Sequence, residues 1–141
     1  MKRELEIAYR ATRYVLNLPE GACVLRVDQC SPRLAEWLQA RKMHSFSVLT
    51  AFNPASRLLS PEENVRRQAV LLAQLEGAGR RVLTGRNLPE NAAAFAEDSV
   101  CVFNLTLTEA LAIGRKYGQN ALLFGGESGI PRLCWIDGTS E

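Results

Sequence analysis

The sequence predicts an α+β fold: one domain in which a mostly antiparallel sheet packs against helices. Three observations predict it. Two capping boxes, Ser60-Pro-Glu-Glu63 and Thr106-Leu-Thr-Glu109, each open a helical stripe. Around them lie apolar runs too short for helices, among them Ser45-Phe-Ser-Val-Leu-Thr-Ala-Phe, Ser99-Val-Cys-Val-Phe-Asn-Leu and Ala121-Leu-Leu-Phe. From Phe46 onward the resulting order is strand, helix, strand, strand, helix, strand, which is the split βαβ order of a ferredoxin-like sandwich. Residues 1–44 then form an N-terminal helix, hairpin and helix that extend the same domain, and residues 45–137 form its core.

Taken in order, residues 3–12 read as a short helix because Leu5, Ala8 and Tyr9 or Thr12 recur at helical spacing. Arg13-Tyr-Val-Leu and Ala22-Cys-Val-Leu-Arg-Val are β-rich runs joined by the turn Asn17-Leu-Pro-Glu-Gly. Ser31-Pro32 supplies a capping hydroxyl and a proline preset for helix entry, followed by Leu34, Trp37, Leu38 and Arg41 on one side. The strand from Ser45 ends before Asn53-Pro54, since a residue preceding proline is steered away from helix, and a loop over 55–59 follows. In the helix from Ser60, the positions Val65, Ala69, Leu72 and Leu75 or Glu76 suggest the apolar stripe, and Gly77 and Gly79 stop it. Arg81-Val-Leu-Thr is a short strand leading into Gly85-Arg86-Asn87, and residues 88–98 read as a loop with room for a helical turn. The run from Ser99 is apolar at nearly every position, as in a strand covered on both faces. The helix from Thr106 ends at Gly118, a natural left-handed cap. Ala121-Leu-Leu-Phe and Leu133-Cys-Trp-Ile close the chain as strands joined by the turn-rich Gly125-Gly-Glu-Ser-Gly-Ile-Pro, with a fraying tail over 138–141.

Composition excludes several function classes. Apolar residues are 47% and charged residues 23% of the 141, an ordinary globular balance far from the signature of disorder. A net charge of +2 argues against a nucleic-acid partner by composition, and no basic patch interleaved with aromatics supports one. The charged N-terminus leads into no apolar run, so neither a signal peptide nor a membrane helix is expected and the cytoplasm is the default compartment. The cysteines Cys23, Cys30, Cys101 and Cys134 form no C-x-x-C pair, and with His44 as the sole histidine no zinc set is expected; nor is any cofactor. Cys101 and Cys134 sit in apolar runs and read as small core residues. His44 reads as a surface residue. The loop Gly125-Gly-Glu-Ser-Gly lacks the Gly-Lys-Ser/Thr end of a phosphate loop and precedes a strand where that motif needs a helix. Asn104-Leu-Thr106 matches a glycosylation sequon, but Thr106 is better used as a cap.

The candidate working residues are Asn53, Ser56, Asn64, Arg67, Arg86, Gln119 and Asn120, polar groups at strand ends and helix termini where a rigid scaffold presents function. Asn64 and Arg67 share a helix face near an N-terminus, where free amides favour an anion. Gln119 and Asn120 both donate and accept. Taken singly, each is as well explained by loop capping, pairing with Glu63 or Glu97, or solvation; a functional reading requires that they converge. The expectation is a non-catalytic binding module for a small anionic ligand or an acidic segment of a partner. The alternatives are an enzyme on a nucleotide-like or anionic metabolite, with Glu63 or Glu97 as general base, and a nucleic-acid binder. No catalytic residue is assigned, and the sequence does not set an oligomeric state.

Thr50-Ala-Phe-Asn-Pro-x-Ser, Ser60-x-x-Glu63-Asn64-x-x-Arg67, Gly85-Arg86 and Ala110-Leu-Ala-Ile-Gly-Arg-Lys-Tyr-Gly-Gln-Asn-Ala, in that order, resemble the bacterial domain-of-unknown-function family numbered 3293. The resemblance spans roughly residues 46–124, and Ala8-Tyr-x-x-Thr-x-Tyr resembles the lead-in of such proteins. It implies a small stand-alone bacterial protein and brings no activity or catalytic residue with it. Asn87 departs from it, standing where an aspartate is expected after the arginine.

Overall fold

Short apolar runs become strands β1 (Arg13–Leu18), β2 (Gly21–Leu25), β3 (Ser45–Leu49), β4 (Val82–Leu88), β5 (Glu97–Phe103), β6 (Ala121–Gly126) and β7 (Arg132–Trp135). Between them run helices α1 (Lys2–Ala11), α2 (Pro32–Ala40), α3 (Pro61–Gly77) and α4 (Leu107–Lys116), with a 3-10 turn at Pro54–Ser56. The computed structural model describes residues 2–90 and 95–136. No helix among them is long and apolar enough to cross a membrane.

All strand pairs are antiparallel, and the seven-stranded order is β2-β1-β4-β5-β3-β6-β7. The central four, β4-β5-β3-β6, have the predicted ferredoxin-like order: α3 carries the chain from β3 past β5 to β4, and α4 carries it from β5 past β3 to β6. The N-terminal extension does two jobs. Its β1–β2 hairpin lengthens the sheet along the free edge of β4, and its helices cover the face that α3 and α4 leave bare.

Strand alternation divides the core between those faces. On one, Leu34, Trp37 and Leu38 of α2 cluster with Leu16, Cys23, Leu25, Phe46 and Phe103, and the Trp37 and Phe103 rings lie 5.1 Å apart. On the other, Leu71 and Leu75 of α3 and Ala110 of α4 cluster with Val100, Val102 and Leu122. Ser31, Ser60 and Thr106 cap α2, α3 and α4 as expected, the last two with complete capping boxes. Cys101 is buried, Cys134 half-buried and His44 exposed.

Five expectations are corrected. Gly85-Arg86-Asn87 belongs to β4 rather than to a loop. A Cβ on Gly85 would run into the Val15 carbonyl oxygen, so glycine serves close strand approach there, and pairing to both β1 and β5 overrides its turn propensity. The buried face of α3 is Asn64, Gln68, Leu71 and Leu75: it shares Leu75 with the expected stripe but takes the residue before each of Val65, Ala69 and Leu72, and Val65 is 59% exposed. The physical reason is that Asn64 and Gln68 bind backbone at the end of β3: the Asn53 and Ala51 amides donate to Asn64 Oδ1 and Gln68 Oε1, each at 2.9 Å. The first hairpin turn tightens to Pro19-Glu20, leaving Asn17 and Leu18 in β1, and β3 stops at Leu49 rather than Phe52. β5 begins at Glu97, inside the expected loop; the helical turn expected there falls largely on residues 91–94, outside the described residues, as does the tail over 138–141.

Candidate functional site

The register sets three side chains in a row. Tyr14 of β1 stands opposite Asn87 of β4, and Asn87 opposite Glu97 of β5. Directly opposed residues point to the same face with Cβ atoms about 5 Å apart, so the row is a polar band across three strands. It lies on the α1/α2 face, at the end of the sheet that α1 crosses.

α1 presents Leu5, Ala8, Tyr9 and Thr12 at i, i+3, i+4 and i+7, one helical stripe. Ala8 and Thr12 are short, no α1 side chain is fully buried, and the stripe does not fill the space beneath it. What remains is a cavity of about 450 Å³. Val48, Ala121 and Leu123 add an apolar floor beside the row, and Leu58 and Phe95, 70% and 72% exposed, stand at its border. α1 is pinned over it by the edge-on contact of Tyr9 with Trp135 at 5.8 Å, the Tyr14 hydroxyl donating to the Tyr9 carbonyl at 3.1 Å, and the Arg10–Asp28 ion pair at 2.7 Å.

The remaining wall is the loop after β3, a stretch in which Asn53, Ala55 and Ser56 all have positive φ. Side chains from distant segments hold that conformation. Asn53 Nδ2 donates to Glu97 Oε2 at 3.1 Å, and Asn53 Oδ1 accepts from the Leu59 amide and Asn64 Nδ2, each at 2.9 Å. Gly118, with φ +72°, has no Cβ to push Pro54 away, and its carbonyl accepts from the Ala55 amide at 2.7 Å. Gln119 Nε2 donates to the Phe52 carbonyl at 3.0 Å, and Asn120 Nδ2 to Ser56 Oγ at 2.9 Å. Arg67 donates to the carbonyls of Ala51 at 2.7 Å and Tyr117 at 2.5 Å.

The seven residues singled out from sequence therefore separate. Asn53, Ser56 and Gln119 line the cavity, and Asn120 reaches it through Ser56. Asn64 and Arg67 brace the loop from behind, with the guanidinium engaged by peptide carbonyls. Arg86 alternates to the opposite sheet face, where Nε lies 3.6 Å from Asp98 Oδ1. Of the two glutamates weighed as bases, Glu63 is exposed and closes the Ser60 capping box, whereas Glu97 is half-buried on the cavity. Tyr9, Tyr14 and Asn87 escaped the sequence reading. The α1 stripe was legible as a helix face, but its target depends on the non-local pairing of β1 with β4.

Electrostatics at the row follow from burial. Burial raises the Glu97 carboxyl above the usual glutamate range, against the lowering effect of the Asn53 hydrogen bond. Burial pushes the Tyr9 phenol up to about 12, with the Glu97 charge adding to it, and raises Tyr14 further, so both rings stay neutral. Asn87 Oδ1 is buried with no hydrogen-bond partner among the described residues. Among the described residues that line the cavity there is no Lys, Arg or His. Among the described residues, no group of three or more His, Cys, Asp or Glu is placed to hold a metal ion.

Fold and site together define a single-domain α+β protein with a polar-floored apolar pocket between its N-terminal helix and its sheet. The chain belongs to the family described as Protein of unknown function (DUF3293), whose model matches residues 49–122, more than half of its length. That span includes the β3–α3 loop, Arg67, the β4–β5 pair and the Gly118-Gln119-Asn120 segment, while α1 and β1 lie outside it. No curated protein and no solved structure matches the chain.

Proposed function

We propose that this chain is a non-catalytic binding module that takes one small, mostly apolar molecule between α1 and the end of the sheet. The observation that carries the reading is the cavity: about 450 Å³, apolar on most of its walls, with a few polar groups gathered on the Tyr14–Asn87–Glu97 side. That volume and that division of surface are those of small-molecule sites. The anionic ligand expected from the arginines has less support, since Arg67 is engaged by carbonyls and Arg86 sits on the other face. The resemblance suggests a bacterial source, and four free cysteines suit a reducing cytoplasm.

The test is a thermal-shift screen of small amphiphiles on the wild type and on Ala121→Leu, which places a larger side chain in the cavity. A ligand at a hundred times its Kd adds about 2.7 kcal/mol, on the order of 5–10 °C for a chain of this size. The expected result is a set of hits lost in Ala121→Leu. Hits that survive the plug count against this pocket.

A second reading draws on Glu97. A half-buried carboxyl with a raised pKa on a cavity is the arrangement of a general base. Incubating each hit with protein and following it by mass spectrometry separates the readings. Turnover by wild type and none by Glu97→Gln establishes the enzyme; hits recovered unchanged leave the binding module.

A further inference from the structure

The chemistry of the pocket floor points to its occupant, and this step rests on the binding reading above. We propose that the ligand is an amphipathic primary amine, whose ammonium docks between Glu97 and Asn87 and whose apolar body lies against α1.

Hydrogen-bond valences on the pocket floor are left open. Asn53 Nδ2 reaches only Glu97 Oε2, and no described residue donates to Oε1. Asn87 Oδ1, directly across the strand pair, is buried without a donor. Gln119 uses its Nε2 on the Phe52 and Tyr117 carbonyls, so its oxygen is the group left over. The floor is thus short of donors, and a buried acceptor left unpaired carries a desolvation cost that a donating ligand recovers. An alcohol brings one donor; an ammonium brings three.

Charge selects in the same direction. The groups facing Glu97 are the neutral phenols of Tyr9 from α1 and Tyr14 from β1 and the Asn53 amide from the loop. Asp98, its neighbour on β5, turns to the other face with Arg86, and Arg10 of α1 is held by Glu6 and Asp28. Among the described residues no cation balances a Glu97 carboxylate, which leaves that partner to the ligand. An ammonium also gains from two aromatic rings beside it. A carboxylate ligand meets the opposite on every count. Leu5, Val48, Leu58 and Leu123 leave an apolar path for the body.

The experiment is calorimetry with n-octylamine, 1-octanol and octanoate at neutral pH, on wild type, Glu97→Gln and Asn87→Leu. We expect octylamine to bind at least about tenfold more tightly than octanol, the worth of one charge-assisted hydrogen bond, and octanoate not to bind. Glu97→Gln removes that advantage and leaves octanol unchanged; Asn87→Leu reduces it. Independently of any variant, the wild-type Glu97 carboxyl followed by carbon NMR titrates at lower pH when octylamine is bound. An unmoved titration, or octanol and octanoate binding as well as the amine, overturns the amine while the pocket stands. If no probe binds, the pocket reading and the amine both fall.

Discussion

Helices α3 and α1 pack on opposite faces of the sheet and end in opposite states. Behind it, α3 sends fully buried Leu71 and Leu75 into the sheet, and its polar positions Asn64, Arg67 and Gln68 bind loop backbone, so side chains fill the interface. In front, α1 offers half-buried Leu5 and Tyr9 and the short Ala8, with the short, buried Thr12 just past its end, and a cavity remains. A helix fills the space beneath it only when its inward side chains are long enough to reach the floor. The lesson extends to polar groups. The arginine most suggestive of ligand recognition is a structural brace, while the carboxyl at the cavity stands in a row that only strand pairing assembles.

That contrast can be broken most severely from the filled side. Leu71 is 0% exposed, and Leu71→Ala is expected to cost about 2–5 kcal/mol by urea unfolding, through lost burial and the void left behind. A loss below about 1 kcal/mol would mean that the α3 interface is as loose as that of α1. Arg67→Ala comes next. It strips donors from the Ala51 and Tyr117 carbonyls and is expected to cost roughly 1–3 kcal/mol, while any pocket ligand keeps its Kd wherever the variant is folded. Loss of binding without loss of stability would make Arg67 a ligand residue instead.

Glu97 and Glu109 respond to pH with opposite signs. The folded-state pKa of Glu97 is raised by burial, so the folded chain holds this proton more tightly than the unfolded one. Its contribution is present below the ordinary glutamate range and is lost as pH rises from there through the folded value. Glu97→Gln is expected to flatten that fall in unfolding free energy above the glutamate range. Glu109, which caps α4, has the opposite sign: hydrogen bonding from the Thr106 backbone amide lowers its pKa, and its contribution is lost as pH falls. A Glu97→Gln profile parallel to wild type would place the carboxyl in solvent. The smallest effect belongs to the cavity wall: Leu5→Ala is expected to cost under about 1 kcal/mol, because a half-buried side chain bordering a void has little packing to lose.

Local signals in the sequence were enough for the existence of the elements and for the starts of the three capped helices. Ser31, Ser60 and Thr106 cap helices through local hydrogen bonds, Pro54 and Gly118 interrupt the chain, and the helix–strand order from Phe46 specifies the split βαβ topology; all of this is encoded within a few residues of where it acts. Tertiary structure decided what those elements face. Gly85 sits in a strand because two neighbours pair with it, and α3 turns Asn64 inward because the Asn53 amide needs its oxygen. Tyr14, Asn87 and Glu97 form a row because a hairpin far away in sequence joins the edge of β4. Local signals report hydrogen bonds made along the chain, whereas a pocket is the space left when distant segments meet, and no single segment carries its shape.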